Sequence, residues 1–240
     1  MSDLDIIETE QLSINAIINR SFSKGVVVRN GKGSIYSDEE VAHLPIISSD
    51  HPHYDEWKLR EHSTKRLLKQ LRKLGSSLNI LVVGSGNRWL AAKLSNITSG
   101  EVIGIDMNLR ELLQAKPVFG SLRNPEFVAT DISDGQFPDK QFDIIVFSAS
   151  IQNFSSLKDL IKGAMEHLTL MGQIHILDSP LLTAKNIPAQ KPKAPDHYIH
   201  CVNELESFQY KMIYDPNAWN NKLFAKRDPF VHIVIKNHYH

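Results

Sequence analysis

Residues 78–106, LNILVVGSGNRWLAAKLSNITSGEVIGID, leave the chain little choice of architecture. Asn79 to Val83 is a short apolar run rich in branched side chains, the mark of a strand buried on both faces. Gly84-Ser85-Gly86 follows at once. Two glycines there let the backbone turn sharply and let a ligand approach the main chain. Trp89 to Leu94 has helical spacing and no breaker, and Val102 to Ile105 reads as a second buried strand. Asp106 stands at its carboxyl end, about 20 residues beyond Gly86, where an acid accepts hydrogen bonds from the two hydroxyls of a ribose. The stretch is a strand–helix–strand nucleoside-binding half.

A dinucleotide turn wants G-x-G-x-x-G, but Trp89 fills the third place, where glycine permits close helix–strand packing. The stretch instead resembles motif I of the class I S-adenosylmethionine (SAM)-dependent methyltransferases: an apolar strand, G-x-G-x-G, then a ribose-binding acid on the next strand. The resemblance implies cofactor contacts at Val83, Gly84, Ser85, Gly86, Asp106 and Met107. Two positions depart from it. The acid common two places before the first glycine is Val82, and the third glycine is Arg88. Both lie toward the methionine end of the cofactor. Arg88 has two possible orientations, inward onto the methionine carboxylate or outward to solvent. An added side chain at a close approach usually obstructs, so the outward orientation is the expectation.

Ahead of this unit, Leu12 to Ile18 fits a short helix and Gly25 to Gly33 a ribbon with a glycine turn. Tyr54 to Leu74 fits a long helix with a stripe of Thr64, Leu67, Leu68, Leu71 and Leu74, stopped by Gly75. In the family the segment before motif I often lies over the cofactor, which makes Trp57 and Arg60 candidates for the acceptor site. A packing role for Trp57 is equally compatible with the sequence. After Asp106, Arg110 to Lys116 reads as a helix and Phe127 to Thr130 as strand three. The resemblance places Asp131 on the adenine amino group and Ile132 against the ring; as a bare residue, Asp131 also suits a turn or cap.

Residues 137–148, FPDKQFDIIVFS, repeat the family pattern before strand four, with Ser148 at its exit beside the methyl group. Asn153 follows where many relatives carry a histidine or an aromatic. Ser156 opens a helix with the apolar face Leu157, Leu160, Ile161, Ala164 and Leu168. Gln173 to Asp178 reads as strand five. His175 fits a packed core histidine, and Asp178 faces the crevice at the strand ends. Leu181 to Pro195 is a long polar loop, and Asp196 to Phe208 reads as a helix carrying His197, Tyr198 and His200. Tyr210 to Tyr214 and Val231 to Lys236 form a terminal strand pair like the class I ending. The sequence IHILDSP, with SASIQNF, also resembles a group of uncharacterised bacterial methyltransferase-like proteins.

These readings amount to an α/β, Rossmann-like, seven-stranded, mainly parallel sheet with helices on both faces and an antiparallel C-terminal strand. Residues 1–75 are expected as an N-terminal cap segment and helix, and residues 76–240 as the SAM-binding part. The 240 residues carry 27 Lys plus Arg and 27 Asp plus Glu, so no net field recruits nucleic acid or membrane. One cysteine, Cys201, precludes an internal disulfide and suits a reducing cytoplasm. No signal-peptide core or bilayer-length apolar run occurs. The histidine pairs at 51/53, 197/200 and 238/240 lack a convincing third metal ligand. The resemblance implies SAM as cofactor and, by elimination, a small-molecule acceptor met by Trp57, Arg60, Asn153, Asp178 and His197. Two alternatives stay open: a methyltransferase-like binding or structural protein with a degenerate cofactor site, and a nicotinamide enzyme.

Overall fold

The computed structural model describes residues 36–106, 118–119, 125–128, 132, 140–183, 197–218, 221 and 228–237. The first helices are α1 (Asp38–His43) and α2 (Tyr54–Leu71). Then come β1 (Ile80–Val83), α3 (Trp89–Ser95), β2 (Val102–Ile105), β3 (Pro125–Val128), β4 (Phe142–Ser148), α4 (Leu157–Glu166) and β5 (Leu168–Leu177). Short strands β6 (Leu181–Leu182) and β7 (His200–Cys201) precede β8 (Tyr210–Tyr214) and β9 (His232–Lys236). Seven strands form one sheet in the order β3-β2-β1-β4-β5-β9-β8, and β6 and β7 pair separately. Strands β1 to β5 run parallel; β9 is antiparallel to both of its neighbours.

The all-apolar strands are explained by two cores. Leu81, Val83, Ile103, Ile105, Ile145, Phe147, Ile174 and Ile176 point to one face and meet Leu157, Leu160, Ile161 and Ala164 of α4. Ile80, Val82, Val102, Ile144, Val146 and Leu177 point to the other. There they meet Val41 of α1, Trp57, Leu67 and Leu71 of α2, and Trp89, Leu90 and Leu94 of α3. With a side-chain period of two, only strands covered on both faces lack polar alternation. The chain leaves β1 in one direction, to β2 and β3, and resumes at β4 on the other flank. That reversal opens a crevice at the carboxyl ends of β1 and β4, the place where open α/β sheets bind ligands.

Several sequence expectations shift. Helix α2 ends at Leu71, three residues short of the expected Leu74, and a turn carries the chain on to Gly75, whose φ is 132°. Strand β5 begins at Leu168 and carries Met171-Gly172 inside it. A Cβ on Gly172 would lie 2.8 Å from Leu168 Cδ2 and 3.1 Å from Phe142 O, so the glycine there serves close strand packing. The expected helix over 196–208 is not formed across its described part, which holds β7 and a 3-10 turn at Val202–Leu205. The Glu204 carboxylate accepts from Cys201 N–H at 2.8 Å and closes a tight local turn. The buried His200 ring lies 3.2 Å from Ile151 O and 3.0 Å from Phe154 O, which holds β7 against the segment that follows β4. The expected elements at 12–18, 25–33 and 110–116 lie outside the described residues, as do Ala129 and Thr130.

Leu67 is fully buried where α2 meets the sheet. Leu67→Ala should lower unfolding free energy by about 2–5 kcal/mol through a cavity that rigid strands cannot fill, measured by urea denaturation.

Candidate functional site

The site is built from the turn after β1 outward. Gly84 and Gly86 have φ 72° and 51°, and Arg88, the residue before α3, has φ 70° and ψ 5°. Gly84 N–H and Ser85 N–H both donate to Ile105 O, at 2.9 and 3.0 Å, and Arg88 N–H donates to Ser85 O at 2.8 Å. This path delivers Gly86 N–H to Asp106 Oδ2 at 2.7 Å, a charge-assisted bond that fixes the acid beside the turn. A Cβ on Gly84 would stand 2.4 Å from Ser150 Cβ, so the turn is pressed onto the exit of β4. The Ser85 hydroxyl is buried there with no hydrogen-bond partner. Val83 packs into the α4-side core. Ile132 is 3% exposed and packs into the same core. Met107 and Asp131 lie outside the described residues.

Arg88 departs from its expected outward orientation. It is 8% exposed, and burial pushes its guanidinium down to about 10, partly offset by the charge of Asp106. The left-handed backbone explains the difference: the turn keeps the course a glycine would take, which directs the Cβ into the protein.

A second group stands at the exits of β4 and β5, which pair through Ser148 and Leu177. Ser148 Oγ donates to Asp178 Oδ2 at 2.9 Å, while Asp178 Oδ1 is sealed from solvent with no partner in bonding geometry. Burial pushes the Asp178 carboxyl up; the Ser63 hydroxyl, the Arg60 charge and Ser148 offset part of that rise, and Asp228 adds to it. Ala149 and Asp178 have φ 52° and 56°. With Arg88 they are the non-glycine residues of left-handed backbone among the described residues, and all three stand at the carboxyl edge of the sheet. Strain of this kind costs about 1–3 kcal/mol per residue and gathers at functional sites.

Helix α2 closes the crevice on one side. Trp57 is 3% exposed; its ring stands edge-on to Trp89 at 5.3 Å, and its indole N–H donates to Tyr36 Oη at 2.9 Å. Arg60 lies over the Trp57 ring at 4.9 Å and pairs with Glu56 at 2.7 Å. Trp57 thus packs onto Trp89, the first residue of α3, and Arg60 lies within electrostatic reach of Asp178. Asn153 sits in the 3-10 turn Ile151–Asn153 after β4. Tyr198 N–H donates to Gln152 O at 2.8 Å, which brings His197 beside that turn. Of the five acceptor candidates, Arg60 lies within electrostatic reach of Asp178 at the β5 exit, His197 stands beside the turn that holds Asn153, and Trp57 packs in the core on Trp89. Ser63, Trp89 and Ser150 join them. Trp89 had a sequence signal, since an aromatic displaces the usual glycine; Ser63 had none, being one polar residue beside a helix stripe.

Residues 81–176 match the model of a family described as a methyltransferase domain, a span running from β1 into β5. A malonyl-[acyl-carrier protein] O-methyltransferase of Bacillus anthracis is 27% identical over 124 residues, which are 50% of this chain and 45% of that protein. The chain thus spans less than half the length of that curated relative. Among solved structures, the YcgJ protein of Bacillus subtilis superposes with a TM-score of 0.61 at 15% identity, over 75% of this chain and all of that one. The plantazolicin methyltransferase BpumL, solved with a substrate analogue and S-adenosylhomocysteine, superposes with a TM-score of 0.52 at 15% identity, over 84% and 96% of the two chains. The resemblance to class I SAM-dependent methyltransferases is borne out, and the fold is theirs.

Asp178 yields a pH test. Its folded pKa lies above the unfolded value, so the folded state binds the proton more tightly. The resulting penalty is absent below the unfolded pKa of 3.8 and grows as pH rises through the folded one. Asp178→Asn removes that penalty. It should raise the melting temperature at pH 7, by about 2–4 °C for each kcal/mol regained, and the gain should shrink toward pH 4. A gain independent of pH, or a loss growing with pH, would contradict the assignment.

Proposed function

We propose that the chain is a SAM-dependent methyltransferase acting on a small-molecule acceptor. The reading is carried by one observation: a doubly left-handed glycine turn whose Gly86 N–H fixes Asp106 at the mouth of the reversal crevice. The residues suit an adenosyl ligand. Asp106 is an acceptor at the place of a ribose, the turn brings main chain rather than side chains to the ligand, and the buried Ser85 hydroxyl adds a polar group beside it. Gly84, Ser85, Gly86 and Asp106, with Val83 through its main chain, would hold the cofactor. Met107, Asp131, Ile132 and Ser148 join them by the family resemblance. No observation favours the degenerate-site alternative.

SAM, when bound, supplies a methyl carbon activated by a sulfonium sulfur. What remains for the protein is to bring the acceptor in line, at about 3–3.5 Å, and to keep water out. A hydroxyl or amine acceptor must also lose a proton, and the proposed taker is Asp178. Burial raises its pKa, which makes the carboxylate a stronger proton acceptor than an exposed one. Ser148 would hold that carboxylate in place through Oδ2. Trp57, Arg60, Asn153 and His197 are proposed to line the acceptor side, with residues 36–75 as its cap. The balanced charge of the chain supports a small acceptor over a nucleic acid or membrane. A cytoplasmic location is proposed from the single cysteine. No helix among the described residues is long and apolar enough to cross a membrane.

Isothermal calorimetry tests the reading. SAM and S-adenosylhomocysteine should bind, and Asp106→Ala should weaken both by about 1.5–3 kcal/mol, the range for a hydrogen bond to a charged group. Unchanged affinity with an intact fold would remove Asp106 from the site. Binding of a nicotinamide dinucleotide in preference to either ligand would overturn the reading.

A further inference from the structure

The two faces of the sheet differ at its C-terminal strands. Toward α4, Ile174, Ile176, Ile233 and Ile235 continue the first core. On the α2 side, no described residue of β8 or β9 enters the second core. The strand register shows what stands there instead. His175 pairs with Val146 of that core on one side and with Val234 on the other, and Val234 pairs with Lys211. Directly paired residues share a face, so His175 and Lys211 look toward α2. Gln173 and Lys236 pair with each other two residues further along their strands, on that same face. The end of α2 and the turn after it, with Gln70 and Lys73, close this surface into a cavity of about 490 Å³. That volume is in the range of small-molecule sites. The cavity is distinct from the crevice: Asp178 lies beyond His175 by about 10 Å of strand.

Its lining has one sign of charge. Lys73, Lys211 and Lys236 bring ammonium groups, and among the described residues none of them pairs with a carboxylate and no acid lines the cavity. The deepest lining residue is His175, which is fully buried. Its Nδ1 lies 3.1 Å from Nε2 of the buried His232, and its own Nε2 has no hydrogen-bond partner. Ile233 pairs with Ile176, so His232 stands toward the Asp178 end of His175. The bond to it turns Nδ1 that way and leaves Nε2, across the ring, for the cavity. Burial pushes the His175 imidazole down to about 4 and lowers His232 as well, so the pair is neutral at pH 7. One proton lies between the two rings. If His175 donates it, Nε2 of His175 is an acceptor; if His232 donates it, that Nε2 is a donor. A hydroxyl satisfies both cases, because it donates and accepts. The amides of Gln70 and Gln173 have the same double capacity.

We propose that this cavity binds a sugar phosphate, with the phosphate on Lys73, Lys211 and Lys236 and a hydroxyl of the sugar on Nε2 of His175. A phosphate dianion suits ammonium groups gathered without a counter-charge. A polyol suits an imidazole and amides that each donate or accept. The proposal does not depend on the SAM reading, since none of these residues serves the cofactor or acceptor places.

Calorimetry on the full chain at fixed ionic strength tests it. The sugar phosphates are glucose 6-phosphate, fructose 6-phosphate and ribose 5-phosphate; the controls are glucose, inorganic phosphate and citrate. At least one sugar phosphate should bind with Kd below about 1 mM, and about tenfold or more tighter than inorganic phosphate or citrate. Glucose should not bind. Lys211→Gln and Lys236→Gln should each weaken that binding by about two- to fivefold, the worth of an exposed ion pair. Both side chains are exposed and unpaired, so the melting temperature should stay unchanged and the loss cannot come from misfolding. In nuclear magnetic resonance, the imidazole nitrogen signals of His175 should move with the sugar phosphate and not with inorganic phosphate. Failure of all three sugar phosphates to bind would overturn the proposal. Citrate binding as tightly would mean unselective ion pairing and would overturn it too. Binding that ignores both lysine changes, or that leaves the His175 signals in place, would put the ligand elsewhere and overturn it as well.

Discussion

The contact between Gly84 and Ser150 governs much of the remaining structure. It joins the exits of β1 and β4, the two strands between which the sheet reverses its order. Because no Cβ fits there, the chain can leave β1 only through a tight left-handed path. That path spends its amides on Ile105 O and Asp106, and so ties the turn to the exit of β2 as well. Three strand ends are thereby fixed by main-chain geometry. As the floor of the proposed cofactor site, a backbone surface would be rigid and close to the ligand, which is what orientation-driven chemistry requires.

Helix α2 packs beside this floor. Its amino half packs Trp57 on Trp89, and its next turn brings Arg60 and Ser63 to Asp178. Farther along, Arg66 pairs with the buried Asp228 and lies over the Tyr214 ring at 4.0 Å, and Tyr214 Oη donates to Asp228 O at 3.0 Å. One helix thus touches the turn after β1, the exit of β5 and the far strands. The burial of Asp178 follows from this covering, and its raised pKa follows from that burial. Stability is given up at this carboxylate, in the way that functional groups commonly oppose the fold that holds them.

Strands β1, β2 and β4 were legible in the sequence because burial on both faces leaves uninterrupted apolar runs, and the two cores account for every one of those side chains. The Ser156 cap of α4 was equally legible, since its hydroxyl accepts from Asp159 N–H at 3.2 Å. Residues 196–208 misled because their polar and apolar spacing suits a helix, while the winning interactions are tertiary: His200 against two carbonyls of the β4 exit. Strand β5 was longer than read because Gly172 looks like a turn and acts as a packing gap. Arg88 misled for a related reason. Side-chain size argues for an outward residue, but the direction of Cβ is set by φ, which the sequence states only through the glycines around it. The placing of Asp106 needed no tertiary information, because turn, helix and strand lengths together fix it.

The account's central claim is that the turn and Asp106 form an adenosyl site. A crystal structure with S-adenosylhomocysteine tests it most directly. The account places both ribose hydroxyls on the Asp106 carboxylate and the homocysteine along Gly84 to Gly86, with the sulfur toward Ser148. An adenosyl group bound elsewhere, or a ribose held without Asp106, would contradict it.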